Sequence, residues 1–301
     1  MDIWNRRADA QPVRKGAAVT QVSIFDATAC KLGEGPLWHP TLGQLFWFDI
    51  QGQRMMTRSG DGLKVWQFDE PVSAAGWVDD GALMVASASA LMHFDLASGT
   101  RAVISPLEAD NPATRSNDGR TDPHGGFWIG TMGRNGEPGL GAYYRYYRGE
   151  LRQLYAPWSI PNATCFSPDG GLAYLADTPT NTIWRVRLDK DGWPVGDREV
   201  FLALERGRFH PDGAVVDAEG NLWCAHYGCS VVTCHDPQGK LLHYVDMPAR
   251  NTTCPAFGGA DLSTMYVTSA AGGLDGVRGP QGATLMFHPG ARGLPEPKVI
   301  L

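Results

Sequence analysis

No run of basic residues occurs anywhere in the 301-residue sequence, and the formal net charge is −6, with 26 Lys and Arg against 32 Asp and Glu. That balance excludes a nucleic-acid partner, because phosphate neutralisation needs a concentrated cationic surface. No apolar stretch approaches the roughly 20 residues that span a bilayer, so no membrane partner is expected. The N-terminal MDIWNRRADAQPVRKG carries charges, but no hydrophobic segment of signal-peptide type follows it. These absences predict a cytoplasmic protein and leave its oligomeric state open.

Cys30, Cys165, Cys224, Cys229, Cys234 and Cys254 form no CxxC pair, so neither a disulfide framework nor a zinc ribbon is indicated, and the thiols read as buried and reduced. Long amphipathic helical periodicity is missing too. There is no Gly-x-Ser-x-Gly elbow to supply a serine nucleophile, no Rossmann glycine fingerprint and no P-loop.

What is there is repetition. Stretches of strand character recur as GQLFWFDI, GALMVASAS, GGFWIGTMG, GGLAYLADT, GNLWCAHYG and STMYVTSAA. Each is preceded by a shorter segment and a tight turn, as in EGPLWHPTLG, NATCFSPDGG and DGAVVDAEGN. The first residues of these preceding segments are Glu34, Ser73, Asn117, Asn162, Asp212 and Pro255, in steps of 39 to 50 residues. Such a period marks propeller blades. The expectation is an all-β, six-bladed β-propeller over residues 19–301, preceded by a loosely ordered arm over 1–18. TQVSIFDA near the N-terminus, PKVIL at the C-terminus, or both, would complete blade six and close the ring, which removes exposed sheet edges.

Residues that start the inner strands of a propeller form a ring around its axis. Four of the six here, Glu34, Asn117, Asn162 and Asp212, carry carboxylate or carboxamide oxygen. Asn and Asp also start turns well, but Glu does not, and polar choices repeated at one level need a common cause. Oxygen donors converging on an axis suit a hard cation.

The segments LGEGPLWHP, RSNDGRTDPHGGFWIGTM, IPNATCFSPDG and HPDGAVVDAEGNLW resemble the signatures of the senescence marker protein, gluconolactonase and luciferin-regenerating enzyme family. The likeness runs from about residue 22 to the end. It implies a lactonase with one divalent metal ion on the axis, held by Glu34, Asn162 and Asp212. It also implies that Arg115 and Asn117 hold substrate oxygens, and that a glutamate after the GTM segment touches substrate. The nearest candidate for the last is Glu137, further along its loop than in the animal members. Oxygen ligands suit Ca²⁺, Mg²⁺ or Mn²⁺, and a set of two carboxylates and one carboxamide also admits Zn²⁺ or Fe²⁺.

The reaction expected is metal-dependent hydrolysis of a small-molecule sugar lactone to the free aldonic acid in carbohydrate catabolism. Asp212 is the expected proton acceptor, one oxygen toward the metal and the other toward water. Arg134, Arg206, Arg208 and His210 on the loops at that end predict a locally basic rim, suited to a lactone bearing a carboxylate, phosphate or sulfonate; His226 lies nearby. The competing readings are an aryl-ester or phosphotriester hydrolase using the same metal, and a non-catalytic binding propeller, since fold alone does not decide function.

Overall fold

A computed structural model describes residues 21–274 and 276–301; the arm expected over 1–18 lies outside the described residues. Six four-stranded antiparallel sheets follow one another along the chain. Their innermost strands are Gly33–His39, Val72–Asp79, Thr114–Thr121, Pro161–Phe166, Pro211–Val216 and Asn251–Gly258. This is the six-bladed propeller that the repeat predicted. Among the described residues no helix is long and apolar enough to cross a membrane.

Each blade is pressed between two neighbours, so both faces of its inner strands are apolar. Six buried clusters fill the six spaces between blades. Phe46, Phe48 and Met55 of blade one, for example, meet Leu83, Val85 and Phe94 of blade two, and Trp223 of blade five meets Phe257 and Phe287 of blade six. Outermost strands face water, as in Gly62–Gln67 and Pro194–Ala203, and there Leu63, Val65, Val195 and Val200 are exposed beside charged residues. Closure removes the strand edge that a half-open ring would leave exposed.

Blade six is completed from the N-terminal side. Ser23–Asp26 pairs antiparallel with Thr284–Phe287, the third strand of that blade. Asp26 also accepts a hydrogen bond from Arg58 Nε of blade one at 2.7 Å. PKVIL, the other candidate for that place, adds no strand to blade six. Val299 N–H instead donates to the Trp77 carbonyl and Ile300 N–H to the Gly125 carbonyl, both at 2.9 Å. Two glycines make room for it: a Cβ on Gly76 would lie 2.5 Å from Val299, and one on Gly125 would lie 2.6 Å from Ile300. The C-terminal segment therefore runs across the turn ends of blades two and three, at the end of the channel opposite the strand starts.

Candidate active site

Glu34 and Asn162 sit at one place in their blades, immediately before a register shift that falls between Glu34 and Leu37 and between Asn162 and Cys165; in blade five the shift lies between Pro211 and Ala214, so Asp212 stands one residue inside it, and its carboxylate is a charge neighbour of Glu34. The chain makes the shift with left-handed backbone at Gly35 (φ 53°) and Ala163 (φ 54°). For alanine that conformation costs about 1–2 kcal/mol, and strain of this kind collects at functional sites. Gly213, after Asp212, serves a different need: a Cβ there would collide with Cys254 of the next inner strand.

The sixth ring position differs from the expectation. In blade six the shift lies between Thr252 and Pro255, so Thr253 is level with the ring and Pro255 falls past it. A bulge inserts a residue without changing the apolar pattern downstream, so counting from the pattern overshoots. Thr253 is buried and donates to the Gly33 carbonyl, while Ser73 bonds the Ser116 hydroxyl at 2.8 Å. The hydroxyls of the ring are thus committed to the fold, and the remaining four residues carry its carboxylate and carboxamide oxygens.

Hydrogen bonds fix which way both amides point. Thr178 Oγ1 donates to the Pro211 carbonyl at 2.7 Å, so it accepts from Asn162 Nδ2 at 2.8 Å. Asn162 therefore presents Oδ1 on its other side. Arg115 Nη1 donates to Asn117 Oδ1 at 2.9 Å, and Asn117 Nδ2 donates to the Pro161 carbonyl (2.9 Å) and to Asn162 Oδ1 (3.2 Å). One lone pair of Asn162 Oδ1 is left over, in the cleft that Glu34 and Asp212 also line.

Those carboxylates are buried, Glu34 at 5% exposure and Asp212 at 5%. Burial pushes Glu34 up to about 8, and the charge of Asp118 adds to the effect. Burial also drives Asp212 well above the usual carboxylate range, with Glu34 and Asp118 as repelling neighbours. Arg115 is the cation beside them; burial lowers it to about 10, against the opposing pull of Glu34. Among the described residues no three His, Cys, Asp or Glu side chains converge as a metal-binding group. A cation at this ring would be held by two carboxylates and the Asn162 carboxamide, all oxygen donors, which fits a hard divalent ion. Positive charge is what two mutually repelling buried carboxylates call for.

The ring forms the floor of a cleft of about 1040 Å³. Its wall is also built from the repeat. Leu32, Arg115, Ile160, His210 and Asn251, each two residues before a ring position, all line it, and so do Lys31 and Arg250, three before. Arg134 and Arg208 line the cleft as the sequence suggested; Arg206 and His226 do not. His226 lies buried behind the wall, its Nε2 against Thr233 Oγ1 at 2.8 Å, and burial lowers it to about 3. Glu137 does not line the cleft either. Its oxygens accept from the Asn135 backbone N–H (3.0 Å) and Nδ2 (2.8 Å), so it braces its own loop.

Thr178 and Arg250 went unnoticed in the sequence. Thr178 stands in an ordinary-looking ADTPT loop that forms a short 3-10 turn over Thr178–Thr180. Arg250 becomes legible once Thr253 is recognised as the ring residue.

Residues 32–271 match the family described as SMP-30/Gluconolactonase/LRE-like region. The chain is 37% identical over 252 residues to a putative sugar lactone lactonase of Rhizobium meliloti, spanning 82% of this chain and 85% of that one. It is 35% identical over 246 residues to a 6-deoxy-6-sulfogluconolactonase of Pseudomonas putida, spanning 79% and 83%. Among solved structures, the calcium-binding protein regucalcin from Agrobacterium tumefaciens superposes with a TM-score of 0.90 at 37% identity, over 94% of this chain and 98% of that one.

Proposed function

Since the chain belongs to the SMP-30/gluconolactonase/LRE-like family, we propose that it is a lactonase that hydrolyses a sugar-acid lactone to the free aldonic acid, using one divalent cation held by Glu34, Asn162 and Asp212. The observation that supports this reading is the set of hydrogen bonds that holds Asn162 Nδ2 against Thr178 and leaves Oδ1 as an acceptor, in the cleft that the buried Glu34 and Asp212 also line. Six free thiols fit a reducing cytoplasm.

A lactone is a cyclic ester, so its hydrolysis needs a polarised carbonyl, a deprotonated water and stabilisation of negative charge in the tetrahedral intermediate. A divalent cation bound at the ring supplies Lewis acidity and lowers the pKa of water in contact with it. The protein's own groups do the rest. Arg115, held by the Ser116 carbonyl at 2.8 Å and by Asn117, directs the rest of its donor fork toward substrate hydroxyl or carbonyl oxygens. Asp212 takes a proton from the attacking water as oxygen adds to the carbonyl carbon. It returns that proton to the ring oxygen as the C–O bond breaks, and the product leaves as a hydroxy acid. The buried floor keeps Asp212 basic for this role once positive charge has drawn off its proton at neutral pH.

Proton release from a panel of aldonolactones, with chelator and with added divalent ions, tests the proposal alongside Asp212→Asn. Metal-dependent hydrolysis that vanishes in the variant supports it. Intact lactones with every ion, from folded protein, would falsify it; turnover of aryl esters or phosphotriesters in the same assay would favour that chemistry instead.

A further inference from the structure

The whole chain is acidic, yet its cleft is not. Among the described residues that line it, six are cationic (Lys31, Arg115, Arg134, Arg208, Arg250 and Arg278) and two, Glu34 and Asp212, are anionic. Both carboxylates belong to the ring on the floor, so among the described residues the charge above them is of one sign. A cleft walled by charge of one sign focuses its field on whatever enters.

The backbones of two of these arginines, Arg208 and Arg250, are tied to a single turn. The Cys229 thiol donates to the Arg208 carbonyl at 3.2 Å, and the next residue, Ser230, donates its N–H to the Arg250 carbonyl at 2.9 Å. Arg250 N–H in turn donates to Gln281 Oε1 at 2.9 Å. The backbone on both sides of the turn is therefore pinned, and both side chains line the cleft. Arg250 is half-buried, and among the described residues no carboxylate pairs with it. Arg208 has one, Glu205 at 3.0 Å, but that carboxylate is 66% exposed, so an incoming anion displaces a weak surface contact. A half-buried arginine without a counter-ion, beside a second whose partner is loosely held, is a receptor for an anion with several acceptor oxygens.

We propose that Arg208 and Arg250 form an anion subsite, and that the substrate is a sugar-acid lactone bearing a phosphate, sulfonate or carboxylate at the end of the molecule remote from the ester. The inference rests on the lactonase reading of the same cleft. Arg134, on the opposite side and near enough to repel Arg115, adds to the field without being part of the pair.

The test compares glucono-δ-lactone with its 6-phosphate, its 6-sulfonate counterpart and a glucarolactone, each with the divalent ion that best supports turnover. The expected result is a kcat/KM at least about tenfold higher for one or more of the anionic lactones, a preference that shrinks as salt is raised. Arg250→Ala should lower kcat/KM for the preferred anionic lactone by about 10- to 100-fold, and Arg208→Ala with Arg250→Ala should bring the anionic-to-neutral ratio close to one. Calorimetry with the products gluconate and 6-phosphogluconate reads the subsite without catalysis; the phosphorylated acid should bind more tightly, and the double variant should lose the difference. Equal or better use of the neutral lactone, or a ratio unmoved in the double variant, overturns the subsite and leaves the lactonase intact. Failure of every lactone, with selective binding of 6-phosphogluconate retained, overturns the lactonase reading and keeps the anion subsite.

Discussion

The two ends of the channel treat buried charge in opposite ways. At the end crossed by the C-terminal segment, Arg120 and Glu296 form an ion pair with side-chain exposures of 12% and 8%, and the Glu296 carbonyl also accepts from Trp77 Nε1 at 2.7 Å. One cation meets one anion, so the pair is neutral, although Glu296 Oε2 is buried without a hydrogen-bond partner. At the other end Glu34 and Asp212 are buried with Asp118 below them and one guanidinium, Arg115, beside them. Burial costs a charge several kcal/mol unless it is compensated. A surplus of one sign therefore marks a place where something else belongs, and a balanced pair marks structure.

The sharpest way to break this comparison is to make a lesion at each end. Asp212→Asn should reduce lactone turnover by about a thousandfold while raising the melting temperature of the chelated protein, because it removes one of two repelling carboxylates. Loss of both activity and stability would mean that the pair is structural. Arg120→Ala should do the reverse. It strands Glu296 without its partner and should cost about 3–5 kcal/mol in urea denaturation, with turnover per folded molecule retained. Replacing the pair with apolar residues, Arg120→Met with Glu296→Leu, should recover most of that loss; if it does not, the pair does more than balance charge.

Finer effects come from the hydrogen bonds behind the ring. Thr178→Val frees the Asn162 amide to rotate and should weaken divalent-ion binding by about 10- to 100-fold in calorimetry, whereas Thr178→Ser should keep it. Equal affinity in both variants would show that Asn162 needs no relay. The smallest effect is a slope. Glu34 holds its proton up to about 8 in the folded chain, against an ordinary value of 4.5. Between these values the unfolded chain binds fewer protons than the folded one, so stability falls as pH rises. Melting temperatures of chelated protein should drop from about pH 5 to pH 8, and added divalent ion should abolish the drop by displacing the proton. A flat profile with chelator would mean that Glu34 is ionised without help.

The blades were legible because apolar strand segments and their Gly, Asp and Pro turns recur at a steady period, and each copy must satisfy the same packing on both faces. Glu34, Asn162 and Asp212 were legible for the same reason, as polar departures at one level of that repeat. Pro255 was misplaced because a bulge leaves no mark in the alternation of side chains; only hydrogen-bond register locates it. PKVIL has the composition of a strand, and its position across blades two and three depends on Gly76 and Gly125, far away in sequence. Thr178 acts through a backbone carbonyl of the next blade, Pro211, and no local pattern records such a contact. Leu32, Arg115, Ile160, His210 and Asn251 show that the wall of the cleft was written in the repeat, one layer before the ring.

The strand Ser23–Asp26 has a consequence for the order of assembly. Ser23 Oγ bonds the Met286 carbonyl across 263 residues of chain, so the strand Ser23–Asp26 waits for a partner that follows the other five blades. Five blades can form from local hairpins as they emerge, but the ring locks only once Thr284–Phe287 has emerged. Until then Thr284–Phe287 has no outer neighbour, and pairings this distant in sequence are the slow ones. A circular permutant that opens a loop between two other blades should therefore complete blade six from strands adjacent in the chain, with the same ring at the end.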